Sequence, residues 1–97
     1  MVKYKIAVNL ENYTVNIDDT VNDLMCQNIR KELEIWIPTK EALVKVITTI
    51  LRLTALVATD YTFLLRDVCH ALGSFGVFIT IDKLVRLINY FGNTLEY

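Results

Sequence analysis

Cys69 and His70 are the one place in the chain where two soft metal ligands adjoin, and His70 is the single histidine. Structural zinc takes four ligands at recognisable spacing, and Cys26 is the only other thiol, so the pair falls short of a metal site. The two residues do not make a nucleophile and its base either, because helix neighbours point about 100° apart and do not face each other. Cys69 is expected in the core, on a face with Leu65, Val68 and Leu72, and His70 at the surface or an interface. Asp18, Asp19 and Asp23 are hard oxygen ligands of the kind magnesium takes. Their place at a helix start explains them as capping and dipole-complementing acids. A phosphate-cradling loop is absent, since none of the three glycines lies at the required spacing. No catalytic residue, cofactor site or metal site is therefore expected, and the chain reads as non-enzymatic.

Residues suited to holding a partner are easier to find. Phe75 and Phe78 lie in a connector bounded by Gly73 and Gly76, where turn chemistry ordinarily supplies polar side chains. They are the candidate anchors of a protein interface. Arg52, on a polar stripe with Lys45 and Thr49, is a weaker third candidate.

The elements that must position these residues follow from periodicity. Val2, Tyr4, Ile6, Val8 and Leu10 alternate with more polar residues, and the alternation resumes at Tyr13, Val15 and Ile17, which predicts an apolar-faced hairpin. Thr20 with Asp23 resembles a capping box and opens a helix from about Val21 to Lys31. Its expected buried face is Val21, Leu24, Met25 and Ile29, with Asn22 outward. Residues 33–37 switch to period two, as a third short strand or a continuation of the helix, and Pro38 stops either. The next helix runs to about Ala58, and Thr59-Asp60 caps another from Tyr61 to Leu72 that Gly73 terminates. Thr80 caps a last helix with a stripe of Ile81, Leu84, Val85, Ile88 and Phe91, Gly92 stops it, and residues 93–97 fray.

The fold class is α+β: an N-terminal β-hairpin, with a possible third strand at 33–37, packed on a helical remainder of about four helices. A single domain spans 1–97, with hairpin and first helix in 1–37 and the helical part in 38–92. The 97 residues are 54% hydrophobic, more than a core of this size readily hides. The segment from Glu41 to Ala58 is apolar over more than half of a helical surface. Both observations predict a homo-oligomer or a subunit docked on a larger protein. No apolar run is long enough to cross a membrane before a charge breaks it.

Ten basic and eleven acidic residues give a net charge of -1, which weighs against nucleic acid and anionic membranes as partners. Two cysteines without a recognisable leader read as reduced thiols of a cytoplasmic, intracellular protein. Isoleucine and asparagine usage with few glycines suits a viral or phage accessory protein, an inhibitor or adaptor.

Two resemblances are local. The first forty residues are similar to the opening of the ubiquitin-like β-grasp fold, through the hairpin and the Asp19-Thr20-Val21 helix start. A β-grasp domain continues into strands where this chain continues into helices, so the likeness implies only a helix packed across a small sheet. Leu65 to Gly73 resembles the first helix of a helix-turn-helix of the phage antirepressor type. That likeness implies the alternative reading of a DNA-binding regulator using residues 65–91, with Lys83, Arg86 and Asn89 facing a groove. The connector from Ser74 to Ile79 is longer than the turn of that motif.

Overall fold

In a computed structural model, residues 3–9, 11–12, 14–55 and 61–97 are described, and the side chains of 54, 55 and 61–64 are not. Strands β1 (Tyr4–Lys5), β2 (Ala7–Asn9) and β3 (Thr14–Asn16) precede helices α1 (Asp19–Leu33), α2 (Lys40–Ala55), α3 (Tyr61–Gly73) and α4 (Ile81–Thr94), and β4 (Leu95–Glu96) follows. The architecture is α+β, with small sheets and an N-terminal hairpin on four helices.

The hairpin pairs β2 with β3 in antiparallel register, Val8 opposite Val15. Its turn is held by side chains: Asn9 Oδ1 accepts from the Glu11 amide and Asn12 Oδ1 from the Thr14 amide. Alternation does place Tyr4, Ile6, Val15 and Ile17 inside, as period two requires. The frayed tail is a correction. Tyr4 pairs with Leu95 and Lys5 with Glu96 in parallel, and the Ile6 amide donates to the Glu96 carbonyl, so β1 and β4 form a second two-stranded sheet.

Helix α1 begins earlier than the Thr20 capping box implied. Asp18 is the N-cap, its carboxylate accepting from the Thr20 amide at 2.8 Å. The buried face also differs: Asn22, Met25 and Ile29 point inward at helical spacing, while Leu24 is largely exposed. At its other end Glu34 takes left-handed angles (φ 57°, ψ 37°) and its amide donates to the Arg30 carbonyl, closing the helix without a glycine. Residues 34–38 are then neither strand nor helix. Burial still alternates there, Ile35 and Ile37 in and Trp36 out, yet no strand pairs with them among the described residues.

Helix α2 is the central element. Ala42, Leu43, Val46, Ile47, Ile50, Leu51 and Leu53 are all buried. The helix packs against β3, α1 and α3, so the unusual width of its apolar stripe is met inside the chain and demands no partner. The expected extension to Ala58 and the Thr59-Asp60 cap lie outside the described residues.

Helix α3 ends at Gly73, but the left-handed closure expected of that glycine falls at Gly76. The Gly76 amide donates to the Gly73 carbonyl, the Val77 amide reaches back to Leu72, and Gly76 carries the left-handed φ of 84°. This is a Schellman closure displaced three residues from the expected stop, and its hydrophobic pair is Leu72 with Val77, both fully buried. Thr80 does cap α4, its hydroxyl accepting from the Lys83 amide. Gly92 does not stop that helix, which continues to Thr94. The buried face is Leu84, Leu87, Phe91 and Thr94, whereas Val85 is partly exposed.

A face built from two loops

Pro38 and Gly76 bring the 34–38 and 74–80 loops beside each other. A Cβ at Gly76 would lie 3.2 Å from Pro38 Cγ, closer than most such contacts, so the left-handed angle selects glycine and the neighbour leaves little room for a side chain. The first loop is also tied to α4, where the Lys83 ammonium donates to the Glu34 carbonyl at 3.0 Å. The two loops thus lie side by side at Pro38 and Gly76.

They nevertheless present large aromatics to the outside. Trp36 is 60% exposed and Phe78 82%, with Phe75 at 37%. Phe75 lies under the Lys45 ammonium, 5.9 Å from the ring centroid, which couples it to the α2 surface. The Phe78 ring lies near Gly73, its carbons 3.9 Å from where an added Cβ would stand, and lines an open cleft with Cys69 and His70.

Of the residues expected to hold a partner, Phe75 and Phe78 therefore share one loop. Arg52 does not join them: it lies two turns beyond Lys45 on α2, about 10 Å along the axis. Trp36 was missed by sequence reasoning. Its signal was the alternation Ile35-Trp36-Ile37, which turns the indole away from the side that buries both isoleucines.

Lys83, Arg86 and Asn89 sit on α4, but the two cations have partners within the chain. Lys83 is on the Glu34 carbonyl and Arg86 pairs with Asp82 at 3.4 Å. Cys69 is half-buried, and burial pushes its thiol pKa upward; His70 is exposed. Asp18 caps α1 and Asp19 pairs with Lys40. Among the described residues no group of three or more His, Cys, Asp or Glu side chains converges to hold a metal. Among them, too, no helix is long and apolar enough to cross a membrane. Comparison of the chain with protein-family models, with curated proteins and with solved structures found no match.

Proposed function

We propose that this chain acts by binding protein, as an inhibitor or adaptor that occupies a surface and performs no reaction of its own. The occupant of its binding face is a second copy or a larger protein. The observation that carries this reading is the exposure of Trp36, Phe75 and Phe78 on two loops that lie beside each other at Pro38 and Gly76. Exposed aromatics on preordered backbone bind with little entropy left to lose, and tryptophan is among the residues that dominate interface energetics. An intracellular setting belongs to the same proposal, supported by Cys26 and Cys69 remaining unbridged.

The test is a triple substitution, Trp36→Ala with Phe75→Ala and Phe78→Ala, followed by melting and by sedimentation at micromolar concentration. The wild-type chain is expected to sediment as an assembly, and the variant to keep its melting temperature while assembly weakens by about 2 kcal/mol or more. A wild-type monomer that also captures no partner, or a variant that assembles normally, overturns the reading.

A further inference from the structure

One cleft is lined by residues from opposite ends of the sequence. Tyr4 of β1, Asn28, Lys31 and Glu32 of α1, and Tyr90 and Asn93 of α4 line a space of about 400 Å³, at the smaller end of small-molecule pockets. The Tyr4 and Tyr90 hydroxyls are 2.8 Å apart, and Asn28 Nδ2 donates to the Tyr4 oxygen.

Two phenols carry two hydrogens, and their mutual bond uses one. If Tyr4 donates to Tyr90, the Tyr90 hydrogen is left over; the reverse arrangement leaves the Tyr4 hydrogen. Tyr4 is almost fully buried and Tyr90 only partly, so the first arrangement directs the spare donor toward the cleft. Burial, the Tyr4 bond and the nearby Glu32 carboxylate all push the Tyr90 pKa up, which keeps that hydrogen in place at any physiological pH.

The charges around this donor are paired in sign. Lys31 supplies an ammonium and Glu32 a carboxylate, side by side in the last turn of α1. Helix α4 ends at the same cleft with no basic residue in its last turn. Its negative dipole end and that of α1 meet there, favouring a cation beside Glu32, while Lys31, the phenol and the asparagine amides favour an anion. A purely anionic ligand would meet Glu32 and both dipoles, and a purely cationic one would meet Lys31.

We propose that this cleft binds a small zwitterion of the amino-acid type. Its carboxylate faces Lys31 and the Tyr90 hydroxyl, and its ammonium faces Glu32 and the carbonyl ends of α1 and α4. The site is separate from the loop face and does not depend on the protein-binding reading.

Titrating the full-length chain with each of the common protein amino acids, and with acetate and methylammonium as half-ligands, tests this by NMR of the Asn28 and Asn93 side-chain amides. At least one amino acid is expected to shift these signals saturably at millimolar concentration or below, with both half-ligands at least ten-fold weaker. Lys31→Ala and Glu32→Gln, at exposed positions, should each weaken binding about ten-fold without altering the remaining spectrum, and Tyr90→Phe, which also breaks the bond to Tyr4, should weaken it by a similar factor. No saturable shift with any amino acid, acetate binding as tightly as the zwitterion, or binding indifferent to Lys31→Ala and Glu32→Gln each overturns the proposal.

Discussion

Tyr4 and Tyr90 touch through their hydroxyls across 86 positions of sequence, and this bond ties the first strand to the last helix. The same two elements are joined again where β1 pairs with β4 directly after α4. Two strands of two residues each are weak alone, and the side-chain bond reinforces this closure.

Tyr4→Phe should destabilise the chain by about 1–3 kcal/mol, because it removes the acceptor of the Asn28 amide and the partner of Tyr90 together. In a double-mutant cycle with Tyr90→Phe, denaturant midpoints should yield a coupling of about 0.5–1.5 kcal/mol. Strict additivity would mean the two hydroxyls do not support each other.

The two left-handed residues give opposite expectations. Gly76→Ala forces a side chain into φ 84° and toward Pro38, and should cost about 2 kcal/mol. Glu34→Gly instead relieves a left-handed non-glycine at an exposed position while retaining the carbonyl that Lys83 holds. It should be neutral or stabilising by up to about 1 kcal/mol, the relief being partly offset by the greater freedom of the unfolded chain. Urea titration of both variants checks the sign.

Ile50→Asp or Leu51→Asp should cost more than about 3 kcal/mol, since each puts a charge on the buried side of the central helix. Lys45→Ala should be nearly neutral, losing only an exposed cation over Phe75. Equal midpoints for the two classes of variant would contradict the packing of α2.

Local chemistry was legible where a single turn decides it. Thr80 caps α4 through a bond three residues away, and the alternation of Tyr4, Ile6, Val15 and Ile17 sorts inside from outside within each strand. Gly73 and Gly76 offer the same local signal, and the choice between them was made by the Leu72–Val77 pair and by Pro38, which lies far off in sequence. Pairing of β4 with β1 had no local trace at all. Phe75 and Phe78 were readable as aromatics in a turn, whereas the exposure of Trp36 needed the 34–38 segment to be seen as a loop whose alternation turns the indole outward. The polar cleft was invisible because Tyr4 and Asn28 are 24 positions apart, and only the assembled fold brings them to Tyr90.

Alkaline stability supplies the last expectation. Burial raises Cys26 and Cys69 above their ordinary 9.0, with the Asp23 carboxylate adding to the effect at Cys26, and Tyr90 is raised above its ordinary 10.0. Each of these groups is neutral when protonated, so the folded chain holds its proton to higher pH than the unfolded chain does. Where the unfolded state binds fewer protons, stability falls with rising pH. The contribution is therefore complete below about pH 9, declines as the unfolded thiols ionise, and declines further above about pH 10 as the unfolded phenol does. Melting temperatures should be flat with respect to these groups near neutrality and drop in that alkaline window. Tyr90→Phe should remove the part of the drop above pH 10 while leaving the thiol part, and Cys26→Ala with Cys69→Ala should do the converse. A Tyr90→Phe profile that parallels wild type throughout the alkaline range would show that the phenol is no better shielded folded than unfolded, and would withdraw the buried hydroxyl pair as the closure between β1 and α4.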